Sequence, residues 1–464
     1  MILVSIYASA QKKHESTEVA MQTSLKRLSF VPLCFAALLL AVSCAPTSTQ
    51  QANTTAPAQA KQQSAEQGVQ TATGTIKGIS NLAKSISLEV GSGEAAKTML
   101  IRFDDKTKGM QDAIQGEPSI ITYTMQGDTP YATELKRKIA SIPEGVAEIK
   151  TAELVALLEK DPKVFLVDSR PAARYNQAHL PGAHSIPQAK LEKEKTKVLP
   201  ADKNTPLVFY CGGVTCPFSP ASATIAKDLG YTNVMVYHEG EPEWTKAGLP
   251  AYSDDDYIVN GNVVVIDLRD PQSAQQGRIK GAYNISYEQL FDKLDDVARN
   301  APLVLYDTQE PEEVVAELRE EGFKFISLVK DGYTGWMKRG GAIEKGPIYA
   351  NEIRWVRQLG KGEVSLEDFR KAASGEDKNA IIVDARSKEE VAQLGTFKNT
   401  INMPLDEIPQ RLNELPKDKK IYVHCATGAR ADMAYNELIK HGFDAKFLLL
   451  NIEDAACDCE IIRP

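Results

Sequence analysis

From Val364 to the end of the chain, short apolar runs alternate with stretches whose apolar positions recur at helical spacing. Ala380 to Val383 and Lys420 to His424 read as strands. Ser365, with the carboxylate of Asp368 three residues on, predicts a capped helix before the first strand, and Asp432 to Lys440 predicts a helix after the second. The same alternation fills 142–252 and 253–347, which argues for mainly parallel sheets covered by helices, with any site at the carboxyl ends of the strands. Residues 71–141 follow a different rhythm. Gly74 to Ile79, Ile86 to Val90, Met99 to Phe103 and Ile120 to Thr124 are short alternating runs broken by Gly, Asn and Asp, and predict a small antiparallel β-domain of barrel type with no cluster of titratable groups to support chemistry.

The strand Lys420 to His424 runs into Cys425-Ala426-Thr427-Gly428-Ala429-Arg430. A strand, a six-residue loop opening on cysteine and then a helix make a geometry in which loop amides and the first helical turn face the sulfur and favour its ionised form. Cys425 would then be a nucleophile near neutral pH. A cysteine after an apolar strand can equally be a small buried hydrophobe. Gly428, which lets the backbone curl with its amides inward, and Arg430, a permanent cation with forked donors for an anion, shift the reading toward chemistry.

Cys-x-x-Gly-x-Arg between a strand and a helix resembles the active-site loop of the rhodanese superfamily of sulfurtransferases. Asp384-Ala385-Arg386 is similar to the family's Asp-x-Arg strand end, and Gly395 to Pro404 to a degenerate form of its Gly-His-Ile-Pro-Gly-Ala segment. The pattern occurs three times at nearly equal intervals. Asp168-Ser169-Arg170, His179 to Pro187 and Phe209-Tyr210-Cys211 form one set; Asp267-Leu268-Arg269, Gly277 to Ala282 and Leu305-Tyr306-Asp307 form another. The resemblance implies an α/β chain of three tandem rhodanese-like domains, at 142–252, 253–347 and 348–464, behind the small all-β domain.

The three loops differ. In the second, Asp307 to Glu313 stands where the thiol loop belongs; a carboxylate cannot carry sulfur and its neighbours would repel an anionic donor, so this domain is expected to be structural, with Trp336 in its core. The first keeps Cys211, Gly212 and Gly213 but has Val214 at the family's glycine position and Cys216 at its arginine position. Cys211 and Cys216 could be a redox-active pair in which Cys216 resolves a persulfide on Cys211, a structural disulfide, or two independent thiols. The resemblance further implies a two-step reaction. Cys425 takes the outer sulfur of a small anionic donor such as thiosulfate, the amides from Ala426 through Thr427, Gly428 and Ala429 to Arg430 hold the charge, Arg430 draws in the anion, and cyanide, a thiol or a protein acceptor removes the sulfur. His424 is expected to sit in the core, and Asp384 with Arg386, like Asp168 with Arg170, to form buried structural pairs.

Composition narrows the alternatives. With 464 residues, 43% hydrophobic and 25% charged, the chain can form several ordinary globular cores. Its net charge of −8, without a basic cluster, argues against nucleic acid as a partner. Cys211, Cys216, Cys457 and Cys459 lack the paired spacing of common zinc sites, so neither metal nor cofactor is expected; the tail pair is a disulfide, a downstream sulfur acceptor or two exposed thiols.

Lys26-Arg27 before the apolar run Leu28 to Val42, ending at Ser43-Cys44, has the anatomy of a secretory signal over 1–44, with Met21 the more natural start. Cys44 resembles the lipidated cysteine of bacterial lipoproteins, which implies an exported protein, periplasmic or anchored to a membrane through lipid. Residues 45–70, rich in Ala, Gln, Thr and Ser, read as a flexible tether. Two other readings stay open: a phosphatase on the same fold, disfavoured because those relatives have a longer loop, and a tethered scaffold whose domains only present surfaces.

Overall fold

The computed structural model describes residues 68–81, 84–91, 96–347, 353–426, 428–449 and 459–463. The expected signal segment with Cys44, nearly all of the tether, Thr427 and Cys457 lie outside the described residues.

The first unit is a closed barrel in the order β1-β2-β3-β5-β4, built from β1 (Gln70–Ser80), β2 (Ser85–Val90), β3 (Lys97–Arg102), β4 (Pro118–Gln126) and β5 (Thr129–Arg137). Alternation puts Ile76, Ile86, Leu88, Ile101, Ile121 and Leu135 inside, all at 0–1% exposure. The sequence suggests only four of these strands. β5 escapes notice because Thr129 to Arg137 offers mostly small, charged and polar residues, yet it closes the barrel: β5 pairs antiparallel with β4 and meets β3 in parallel at Arg102 and Tyr131. The barrel is therefore not wholly antiparallel.

Each of the next three units is a parallel sheet flanked by helices. The first contains β6 (Ala147–Ile149), β7 (Phe165–Asp168), β8 (His184–Ser185), β9 (Leu207–Tyr210) and β10 (Val234–Tyr237), ordered β6-β10-β9-β7-β8. The second contains β11 (Val264–Asp267), β13 (Tyr283–Asn284), β14 (Leu303–Tyr306) and β15 (Ile326–Leu328), ordered β13-β11-β14-β15, with a small ribbon of β12 (Arg278–Ile279) and β16 (Ile343–Glu344) beside it. The third repeats that arrangement with β17 (Ala380–Asp384), β19 (Thr400–Asn402), β20 (Lys420–His424) and β21 (Ala445–Phe447), ordered β19-β17-β20-β21, and a ribbon of β18 (Thr396–Phe397) and β22 (Ile461–Ile462). Every pair within the three main sheets is parallel. The central strands β9 and β14 are buried throughout because helices cover both faces.

The connection between the first two units is itself paired. Tyr252 exchanges two backbone hydrogen bonds of 2.9 Å with His179 of the first, while Ala251 and Ser253 bond to Leu328 on the edge of the second. The segment thus stitches the two sheets together rather than forming a free linker. In the third unit the Ser365 hydroxyl accepts the Asp368 amide and starts the helix Leu366–Ser374.

Candidate active site

Each parallel sheet carries the same node at the end of its second-to-centre strand. Asp168, Asp267 and Asp384 are fully buried. Each accepts the guanidinium of the arginine two residues on, with Nη2 distances of 2.7, 2.6 and 2.6 Å for Arg170, Arg269 and Arg386. The same Nη2 donates to the carbonyl of Ala178, Gly277 or Gly395, tying the strand end to the start of the next segment. These are structural pairs: each guanidinium is held by the aspartate through Nε and Nη2 and by a main-chain carbonyl through Nη2. The residue before the cysteine position completes the node differently in the three repeats. Tyr210 donates to Asp168 at 2.7 Å and accepts the Leu180 amide, and Tyr306 accepts the Ile279 amide. In the third repeat His424 stands there, with Nε2 3.4 Å from Asp384, and Thr396 supplies the hydroxyl at 2.7 Å. His424 is packed between Phe369 and Phe397, and burial pulls its pKa down to about 4 against the opposing pull of Asp384. It is a neutral core residue.

Cys425 follows β20 directly, is 1% exposed and is the free cysteine among the described residues. Its Sγ accepts the amide of Gly428 at 3.1 Å. Gly428 is the N-cap of the helix Ala429–Lys440, with φ of 85°. A side chain there would be strained, and its Cβ would lie 2.5 Å from Leu449 Cδ1, so both backbone conformation and space demand glycine. The helix therefore begins three residues earlier than the Asp432 suggested by sequence, and the cradle is shorter than six loop residues: the sulfur faces the positive end of a helix of 12 residues. Ala426 is buried beside the sulfur, and Ala429 opens the helix.

Arg430 is not an open fork. Both terminal nitrogens bond Glu390, at 2.6 and 2.8 Å. Burial opposes its charge, but the Glu390 carboxylate, the Cys425 sulfur and Asp384 outweigh burial and hold the guanidinium's pKa above its ordinary value. Glu390 escaped the sequence reading, although Ser387-x-x-Glu390 has the spacing of a capping box and forms one.

In the first repeat Cys211 and Cys216 are joined in a disulfide. Ser219 Oγ lies 3.2 Å from Cys211 Sγ, and the Cys211 carbonyl accepts the Glu241 amide at 3.1 Å. Gly213 has φ of 106°, while Gly212 is exposed with open space around it. In the second repeat the Asp307 carboxylate accepts the adjacent Thr308 amide, Glu310 is pinned by Tyr252 and the Asp331 amide, and Trp336 is a core residue at 1% exposure. Cys459 is disulfide-bonded.

Parts of the chain are similar to proteins of several kinds. A sulfurtransferase from Allochromatium vinosum is 33% identical over 82 residues, 18% of this chain and 74% of that protein. An HTH-type transcriptional regulator from Mycobacterium tuberculosis is 39% identical over 102 residues, 22% of this chain and 43% of the regulator. A putative sulfur carrier protein from Bacillus subtilis is 35% identical over 81 residues. The chain thus spans 43% of the length of each of the latter two relatives. Among solved structures, a thiosulfate sulfurtransferase from Pseudomonas aeruginosa aligns over 69% of both chains at 19% identity with a TM-score of 0.21. The profile of the Rhodanese-like domain matches residues 150–247, 255–339 and 365–451, and the chain belongs to that family as a tandem of three such domains.

Proposed function

We propose that the third repeat is a sulfurtransferase centre in which Cys425 carries sulfane sulfur as a persulfide. The observation that carries this reading is the Gly428 amide on Cys425 Sγ at the N-terminus of a long helix, which stabilises negative charge on one sulfur or on a terminal sulfur attached to it. With thiosulfate as donor, the Cys425 thiolate attacks the outer sulfur, the S–S bond of the donor breaks, and sulfite leaves with the electron pair. Cyanide or a thiolate then attacks the terminal sulfur and releases the original thiolate, giving thiocyanate or a new persulfide. The second repeat, with Asp307 at the cysteine position, is non-catalytic.

Intact-mass and peptide mapping after thiosulfate exposure test this. Cys425 should gain one sulfur atom, and Cys425→Ser should abolish cyanide-dependent turnover; an unloaded Cys425 with turnover unchanged in the variant would remove the reading.

The Cys211–Cys216 disulfide favours a second activity in the first repeat. A persulfide on Cys211 meets the Cys216 thiol, the disulfide forms and hydrogen sulfide leaves, after which an external dithiol must return two electrons. Export and lipid attachment at Cys44 complete the proposal, supported by the sequence from Lys26 to Cys44. Mass analysis of the mature N-terminus checks it: a protein starting at an acylated Cys44 supports the anchor, and an intact or differently cut leader overturns it.

A further inference from the structure

A cavity of about 260 Å³ opens between the first and second rhodanese-like repeats, capped by the segment carrying Trp355. It lies apart from Cys425. On its floor are Arg170 and Arg319, and at its rim are the exposed Arg174 and Lys324. A fifth cation of the lining, Arg357, is held by Glu363, and facing the other four is one carboxylate, Glu241, whose Oε2 is 3.3 Å from Arg170 Nη1.

The cations differ in how far the protein satisfies them. Arg170 has Asp168 as a full partner. Arg319 reaches across the junction to the Thr245 carbonyl, and Arg174 reaches only the amide oxygen of Gln177. Arg174, Arg319 and Lys324 form no ion pair with a carboxylate among the described residues. A guanidinium has five N–H donors, so a single carbonyl leaves most of Arg319 available. Burial pulls the pKa of Arg319 down to about 10, with Glu241 opposing, and pushes the Glu241 carboxyl up, with Arg170 and Arg319 opposing. A partly desolvated excess of positive charge is stable when an anion supplies the missing partner.

Part of the remaining wall is aromatic. Tyr257, Phe325 and Trp355 line the same cavity, and the Trp355 indole is fixed by its Nε1 donating to the Asn262 carbonyl at 3.2 Å. Forked donors spaced across an aromatic-walled cleft suit a molecule with oxyanion groups at two places on a flat body.

The geometry points to a binding site, at the junction of the first two repeats, for a small organic dianion with an aromatic or planar body. Its oxyanion groups pair with the Arg319 floor and the Arg174 and Lys324 rim, and its body stacks against the aromatic wall. The site does not depend on sulfur chemistry at Cys425, since none of these residues belongs to that loop.

Isothermal titration of the full chain at low salt with 1,5-naphthalenedisulfonate tests this, with inorganic phosphate as the second arm. One equivalent of the disulfonate should bind, and phosphate should bind at least about tenfold more weakly. Lys324→Glu and Arg174→Gln, both at exposed positions, should each weaken the disulfonate about tenfold, whereas Lys446→Glu, an exposed charge reversal on the third repeat, should change it less than about twofold. Absence of one-to-one binding at millimolar ligand, equal loss in Lys446→Glu, or equal affinity for phosphate each overturns the assignment.

Discussion

Glu390 holds Arg430 with both carboxylate oxygens while its own backbone amide and that of Ser387 complete a helix cap, so one residue joins the helix after β17 to the helix after Cys425. Burial alone would raise the Glu390 pKa, but Arg430 and the Ser387 amide hold it below the usual carboxylate range. Glu390→Gln leaves Arg430 buried without a counter-charge and should destabilise the third repeat by about 3 kcal/mol. Hydrogen exchange in the helix Ala429–Lys440 under increasing urea reads this directly. The double variant Glu390→Gln, Arg430→Met should recover most of the loss; simple addition of the two single effects would show that the pair is not coupled.

Gly428 sets both the conformation of the cradle and the donor to Cys425. Gly428→Ala places a side chain at φ of 85° and within 2.5 Å of Leu449, which displaces the amide from the sulfur. Loss of one preorganised donor of this kind should slow single-turnover sulfur loading of Cys425 about 10²-fold. Gly212→Ala in the first repeat is the matched control, since open space surrounds it, and it should leave loading of Cys425 untouched. A loading rate within twofold of the parent in Gly428→Ala, by about the same measure of donor strength, would mean that other groups hold the charge.

The arrangement of this site is legible in the sequence where it is local. Strand, Cys425, Gly428 and helix follow one another, and the three Asp-x-Arg strand ends announce the repeats. Contacts over long separations were not legible: the partner of Arg430 lies 40 residues away, so Arg430 looked like a free anion receptor. The sequence places the helix start too late because Gly428 caps it in a left-handed conformation, without the Ser, Thr or Asp signal that marks the helix after Ser365. β5 was hidden because barrel closure, rather than its own side chains, makes Thr129 to Arg137 a strand.

Restoring the missing thiol should not restore the second repeat. Asp307→Cys puts sulfur after β14, but Thr308 to Pro311 contains no glycine to curl an amide back onto it, and Glu310, Glu312 and Glu313 follow at once. Burial, and after it the neighbouring Glu310, push the Glu312 carboxyl up. Peptide mass mapping of the variant after thiosulfate should find no added sulfur at position 307 while Cys425 loads normally. Loading at 307 comparable to 425 would show that the strand-to-helix turn alone suffices.

His424 puts an acid-sensitive group in the third repeat at the position where its siblings have Tyr210 and Tyr306. Its pKa is about 4 when folded against 6.5 for an ordinary histidine, chiefly through burial. The unfolded chain therefore takes up a proton that the folded repeat refuses, and the stabilisation is complete above pH 6.5 and is lost as the pH falls toward 4. That window corresponds to roughly 3 kcal/mol. Asp384 contributes on the acid side of its own ordinary value of 3.8, so measurements between about pH 7 and 4.5 separate the histidine from it. His424→Tyr should flatten the stability profile of the third repeat across that window, read by hydrogen exchange along β20. An equal acid slope in parent and variant would assign the sensitivity to other groups.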